Sequence, residues 1–286
     1  MKDAKKVLAC VNQSHHAEPV AEYGAWAARS LKAPLVLLHT IDRHLEHSTG
    51  SDYSGAIGID AQENLIAKLA AEEAARTATD REQGRVLLSG LRNVALRSGI
   101  TDVEVNLRHG AFDEVVSEQG PGTRLLVIGR GGQRQDARNG VSTRLEALVR
   151  TLHAPTLIVS ESFTAPTSVL IAFDNGIAAR HAVEMVASSA LFQSTTVRLF
   201  MNGRDSEEMR TQLAWAVSVL RAGGRDAHVS LAEGDVTGNL VTALREHAVD
   251  LLVMGAYGHS ALRSMVFGNR TDEILQMVRL PVLLAC

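Results

Sequence analysis

Cysteine is nearly absent from this chain: Cys10 and Cys286 lie far apart among 286 residues, with no CxxC pair. A disulfide framework is thereby excluded, and a reducing compartment fits best. Aromatic residues are scarce as well, at 4%, yet 45% of the residues are hydrophobic, enough to build the core of one large or two ordinary domains, two being expected at this length. No run approaches eighteen consecutive apolar residues, so no segment is suited to span a membrane. The opening MKDAKKVLACVNQSHH lacks the long apolar core of a signal peptide, and a cytoplasmic location is expected. Neither sign of charge dominates. With 29 basic and 32 acidic side chains the net charge is −3, which gives no electrostatic reason to expect nucleic acid or an anionic membrane as partner.

Catalytic signatures are missing too. The chain has no G-x-S-x-G elbow, no G-x4-GK(S/T) phosphate loop and no paired carboxylates on a recognisable frame. Eleven histidines include the adjacent His15 and His16 and the group His39, His44 and His47, but none forms the HExxH pair of a zinc protease helix. They read as solvated histidines, and no metal site is expected.

What the chain does contain is an internal repeat. KKVLACVN at 5–12 matches TSVLIAFDN at 167–175, an offset of 162. VEVNLRHGAFDEVV at 103–116 matches HVSLAEGDVTGNLV at 228–241, RLLVIGRGG at 124–132 matches DLLVMGAYG at 250–258, and HAPTLIVS at 153–160 matches RLPVLLAC at 279–286, with offsets of 125 or 126. The drop in offset means that the first half carries about 37 extra residues between its second and third strands, in the region of 42–90. Part of that insertion, HLEHSTGSDYSGAIGID, is rich in glycine and serine and reads as a loop. It leads into a long Ala/Leu/Glu/Arg helical stretch at 62–99, which either covers the first half's ligand end, presents a partner surface, or is a plain surface helix.

Each half alternates short Val/Leu/Ile runs with helix-period segments, the pattern of βαβ crossovers over a parallel sheet buried on both faces. In the second half, strands are expected near 168–173, 196–201, 227–232, 250–255 and 281–285, with helices near 177–191, 206–223, 236–247 and 270–278. ESFTAPTS at 161–168 is a polar linker too short to let the halves drift apart, so they should pack as an internal pseudo-dimer. Residues 247–271 are the most informative stretch. Gly255 and Gly258 follow an apolar strand, and Gly268 opens an amphipathic helix, so that the backbone can approach a ligand and a helix start can attract its phosphates. The motif lies at the carboxyl end of a strand, where open α/β sheets place ligands.

These features resemble the universal stress proteins in their tandem form, over nearly all of the chain and most strongly at 227–286. The resemblance implies two five-stranded parallel-sheet α/β domains, Rossmann-like and similar to the adenine nucleotide alpha hydrolases, at 1–160 and 166–286. It further implies ATP, with or without Mg2+, held through a G-x2-G-x9-G-(S/T) motif. Gly255, Gly258 and Gly268 keep that spacing; Asn269 stands where Ser or Thr is expected, and Thr271 offers a hydroxyl two residues later, after Arg270. Asp174, at the end of the second half's first strand, is placed to accept from ribose hydroxyls or to hold a metal on the phosphates. By the same resemblance Met201 lines the adenine pocket. Simpler roles stand beside these: Asp174 as a helix N-cap, Met201 as core, the 269–271 segment as a cap of the last helix, and Asp113 and Asp235 as caps.

The first half departs from the pattern. Asn12 replaces the aspartate, and nine residues past Gly132 the count lands on Ser142 rather than Gly140. Nucleotide binding there is not expected, although Arg130, Arg134 and Arg138 can hold some other anion. The reading is therefore of a cytoplasmic stress-response protein that binds ATP in its C-terminal domain as a regulatory ligand, with at most weak ATP hydrolysis. The alternatives are a scaffold for a protein partner or other small ligand, and a slow ATPase. Universal stress protein domains commonly pair through their last strands, and 156–159 with 282–285 can do so within one chain, which allows a monomer as well as a homodimer.

Overall fold

The computed structural model describes residues 5–41, 59–130, 152, 154–255, 274 and 277–285. The first half runs β1 (Lys6–Cys10), α1 (Ala17–Leu31), β2 (Leu35–Ile41), α2 (Ile59–Arg97), β3 (Val103–His109), α3 (Phe112–Gln119), β4 (Thr123–Gly129) and β5 (Thr156–Val159). The second runs β6 (Ser168–Ala172), α4 (Ile177–Ser188), β7 (Thr196–Asn202), α5 (Glu207–Ala222), β8 (Ala227–Ala232), α6 (Val236–Glu246), β9 (Leu251–Gly255) and β10 (Val282–Ala285). Every strand expected in the second half is present within two residues of its expected bounds. Of the expected helix at 270–278, Ile274 and Met277 are helical and most of the rest lies outside the described residues.

The ten strands form one sheet in the order β3-β2-β1-β4-β5-β10-β9-β6-β7-β8. Inner strands are runs of Val, Leu, Ile and Ala because helices cover both faces, and Val7, Leu8, Ala9, Val169, Leu170 and Ile171 are fully buried. The outermost strands β3 and β8 instead carry exposed positions, among them the pseudo-equivalent Val105 and Val229. Helix boundaries follow local chemistry. Ser206 accepts from the Met209 N–H to start α5, and Asp235 accepts from the Gly238 N–H to start α6. Asp235 is thus the cap expected of it. Asp113 is not: it lies inside the first turn of α3, whose N-cap is Ala111, and helps there only by its charge near the helix start.

Every neighbouring strand pair is parallel except one. At the centre β5 and β10 run antiparallel, with Val282 opposite Ile158, Leu283 opposite Leu157 and Leu284 opposite Thr156. This seam joins the halves into a single sheet about a local two-fold. The linker is pinned on both sides of it. The Tyr23 hydroxyl donates to the Thr164 carbonyl and accepts from the Thr164 N–H, while the Tyr23 ring meets Phe163 edge-on at 4.8 Å. The Asp250 carboxylate then accepts from the Thr167 and Ser168 N–H groups, holding the start of β6 against β9.

The first half's insertion appears partly as helix: α2 has 39 residues where α5, between the corresponding strands, has 16. Its C-terminal portion packs through Leu88, Leu91 and Ala95 on α1, β2 and β3. At Gly84 the approach is so close that a Cβ would lie 2.8 Å from Leu107 and 3.0 Å from His39. Gln13, in the loop after β1, donates to Gln83 of α2, so the helix also borders the ligand end of the first half.

Because Leu157 is only 1% exposed and lies opposite Leu283 in the seam, Leu157→Ala is expected to lower the unfolding free energy by about 2–5 kcal/mol. Urea unfolding followed by circular dichroism checks this. A loss below about 0.5 kcal/mol, the level of an ordinary surface change, would mean that the seam is not packed as described.

Candidate functional site

In the second half the chain leaves β6, builds β7 and β8 on one side, and then crosses back to place β9 on the other. Such a reversal leaves a crevice at the carboxyl ends of β6 and β9, the topological switch point at which open α/β sheets hold ligands. Asp174 emerges from β6 into this region. Its Oδ1 accepts from the Gly176 N–H at 2.9 Å, and Asn175 between them takes the left-handed conformation at φ 62°. Asn175 is held there by Arg180, whose Nε donates to Asn175 Oδ1 at 2.9 Å, and the Arg180 guanidinium lies 4.4 Å from the centre of the Trp215 ring. Trp215 in turn stacks on Phe173, with ring centres 6.1 Å apart. A chain of contacts thus fixes the direction of the Asp174 carboxylate. The simpler reading of Asp174 as helix N-cap is corrected: Gly176 is the N-cap of α4, and Asp174 braces the turn two residues earlier.

Gly255 closes β9 beside the start of α4. A Cβ at this position would come 2.6 Å from the Ala178 carbonyl carbon and 2.7 Å from the Ala179 nitrogen, so only glycine lets strand and helix start approach this closely. That packing role holds whether or not a ligand binds. Met201, on β7, is 5% exposed and lies in the core with Leu199 and Leu213. The remaining expected residues, Gly258, Gly268, Asn269, Arg270 and Thr271, lie outside the described residues, as do Gly132, Arg134, Arg138, Gly140, Ser142, His44 and His47.

The same switch point in the first half, between β1 and β4, is built differently. Asn12 accepts from the Ser14 hydroxyl, which itself accepts from the His16 N–H. The repeat offset sets His16 against Ala178, and here a Cβ on Gly129 would lie 2.7 Å from the His16 Cβ. An imidazole therefore stands here where the second half has a methyl group. His16 is 6% exposed, and its Nδ1 has no hydrogen-bond partner among the described residues. Burial, the neighbouring His15 and Arg130 hold its pKa below the ordinary histidine value, with Glu161 opposing. Arg130 is not the anion-holding residue expected of it: its guanidinium donates to the carbonyls of Val278 and Leu280 in the second half.

Among the described residues no group of three His, Cys, Asp or Glu side chains is placed to hold a metal ion. His39 is a buried structural residue whose Nδ1 donates to the Val11 carbonyl at 2.8 Å. Cys10 is buried, and burial pushes its thiol pKa well up, away from reactive thiolate. Sequence reasoning missed the Asn175, Arg180 and Trp215 brace, which no short motif announces. It also missed His16, although the offset of 162 sets that residue opposite Ala178.

A Rossmann-like α/β repeat with its crevices at the switch points defines a class, and the comparisons give the family. The universal stress protein family model matches residues 4–160 and again 167–285, and the chain belongs to that family. Universal stress protein Slr1230 of Synechocystis sp. is 25% identical over 283 residues, spanning 98% of this chain and 99% of its own length. A universal stress protein structure from Archaeoglobus fulgidus superposes with a TM-score of 0.66 at 16% identity, covering 98% of this chain and 95% of that one. A functionally unknown protein from Pseudomonas aeruginosa gives 0.55 at 15% identity, covering 99% and 92%. These two share the fold.

Two outcomes are expected. Gly255→Val forces side-chain atoms into the α4 backbone and should cost about 1–3 kcal/mol in chemical denaturation without any ligand present; a neutral change would contradict the close approach. For His16 the sign follows from its lowered pKa. The unfolded chain, titrating near 6.5, takes up the proton before the folded one does, so stability is full above that pH and falls as pH drops below it. Melting temperature between about pH 7.5 and 5.5 should fall less steeply in His16→Ala than in the parent. Equal slopes would remove His16 as the source.

Proposed function

We propose that this chain is a cytoplasmic stress-response protein that holds one adenine nucleotide, ATP with or without Mg2+, in its second half as a regulatory ligand. The observation that carries the reading is the contrast between the two switch points. In the second half a braced carboxylate, Asp174, and the close-packing Gly255 converge on the start of α4. In the first, Asn12 is engaged by Ser14, and His16 packs on Gly129 where the second half has Ala178 against Gly255. A carboxylate at the first position accepts from ribose hydroxyls or faces a phosphate-bound cation, and a helix start beside it favours the negative charge of the phosphates. Met201 lines the base, and Gly258, Gly268, Asn269, Arg270 and Thr271 supply the phosphate loop. Binding acts through a difference in affinity between two conformations or partner states, rather than through turnover. On this reading any hydrolysis of the bound nucleotide is slow and incidental to its regulatory role.

A second reading, a scaffold for a protein partner, is favoured by α2, whose residues 81–83, 85 and 86 are exposed, with Val86 at 64%. The two readings are compatible, the nucleotide setting the state in which that helix is presented. The seam already pairs the two last strands within one chain, which favours a monomer.

The test is to denature protein purified without added nucleotide, quantify the adenine nucleotide released, and titrate the emptied protein with ATP by calorimetry. One equivalent per chain is expected, with affinity weakened about 10- to 100-fold in Asp174→Ala, the loss of one hydrogen bond to a charged group. No release and no heat with ATP and Mg2+ would overturn the reading.

A further inference from the structure

We infer that Arg130 of the first half is a positioning residue for the second half's ligand site, acting across the seam on the chain segment that enters β10. Arg130 directly follows Gly129, and its backbone N–H donates to the Val159 carbonyl at 3.2 Å, so its base is tied to the end of β5. From there the side chain crosses into the second half. Nη1 donates to the Val278 carbonyl, and Nη2 donates to the Leu280 carbonyl at 2.8 Å. The gripped carbonyls flank the exit from a helical turn: the Val278 N–H donates to the Ile274 carbonyl at 2.8 Å, and the Pro281 carbonyl then accepts from the Leu252 N–H at 3.1 Å. One guanidinium therefore fixes where the helical segment ends and the strand begins.

Several observations make this more than a surface contact. Burial pulls the Arg130 pKa below the ordinary arginine value, while Glu161 pushes the other way. A charge removed from water in this way is tolerated only where acceptors meet it, and the carbonyls at a helix C-terminus carry the matching partial negative charge. Two acceptors on one planar fork also suit arginine rather than lysine. The side-chain donor is not repeated: the offset of 126 sets Ala256 at the corresponding place in the second half, and an alanine side chain carries no hydrogen-bonding group. The first half thus keeps the start of a glycine loop at Gly129 but uses the next residue to hold its neighbour.

What it holds is the entry to β10, the strand that pairs with β9 from Leu252 to Gly255. Resting on the nucleotide reading, the inference is that Arg130, by fixing β10 against β9, sets the shape of the crevice at β6 and β9, and so couples occupancy of the second half to the end of β4 in the first.

Two measurements on the full chain test it, using Arg130→Met, Arg130→Lys, and Tyr23→Phe as a control that loosens the linker without touching Val278 or Leu280. Amide hydrogen exchange in nucleotide-free protein should accelerate at least tenfold at 278–282 in Arg130→Met, less in Arg130→Lys, and not in Tyr23→Phe. ATP calorimetry should show dissociation constants raised about tenfold in Arg130→Met, partly restored in Arg130→Lys, and unchanged in Tyr23→Phe, with stoichiometry unaltered in all three. Unchanged exchange at 278–282 in Arg130→Met would overturn the grip itself. Altered exchange with an unchanged dissociation constant would overturn the positioning role and leave a structural contact. If the parent binds no nucleotide, the proposed function fails and the positioning role with it, while the exchange measurement still decides whether Arg130 holds the segment.

Discussion

The antiparallel pairing of β5 with β10 is the constraint on which the rest of the structure depends. Each half ends its sheet on a short apolar strand, TLIV in one and VLLA in the other, buried on both faces. Alone, such a strand would leave a row of unpaired backbone groups and uncovered apolar side chains at a sheet edge. Pairing the two edges within one chain satisfies both and produces a ten-stranded sheet whose exposed edges, β3 and β8, are the strands with the most polar faces. The linker contacts of Tyr23, Phe163 and Asp250 follow from that geometry, since the chain must return from β5 to the middle of the second half within nine residues of Val159.

Because the seam is a local two-fold, it also makes the two switch points comparable position by position. Their differences are chemical rather than architectural. Where the second half has Asp174 and Ala178, the first has Asn12 and His16; where the second has Ala256, the first has Arg130. The aspartate-to-asparagine change removes a charge, the histidine fills volume, and the arginine turns a loop residue toward the partner half. Under the proposed function, the first two changes count against a nucleotide in the first half, and the third lends a contact to the second. A duplicated domain in which one copy keeps the pocket and the other braces it is a consistent account of these residues, and it gives each half a distinct part in one site.

Much of the fold was legible because duplication doubled the signal. Apolar runs of five to seven residues bounded by turn residues located the strands, and matched pairs such as Pro155 with Pro281 set their register along the chain. The pairing of the last strands followed from the family resemblance together with the short linker. At the site, Asp174 and Gly255 were legible by position but not by role. Gly255 is required by the backbone of Ala178 and Ala179, a contact between segments more than seventy residues apart, and the Asp174 turn depends on a left-handed Asn175 braced by Arg180. Neither is visible in local spacing. Arg130 misled for a related reason: arginines clustered near a glycine loop suggest an anion, and only the tertiary arrangement reveals carbonyl partners 148 and 150 residues away. The insertion and its long helix were legible, but the close approach of α2 to His39 and Leu107 depends on Gly84, an unremarkable glycine in a helical stretch.

The central claim is that the crevice between β6 and β9, and not the one between β1 and β4, receives an adenine nucleotide. A crystal structure of the full chain grown with ATP and Mg2+ tests it most directly. The account predicts one nucleotide per chain, with ribose hydroxyls within hydrogen-bond distance of the Asp174 carboxylate and the base against Met201, and with His16 still packed on Gly129. Density in the first half in place of the second, or well-ordered crevices that stay empty at saturating nucleotide, would contradict it.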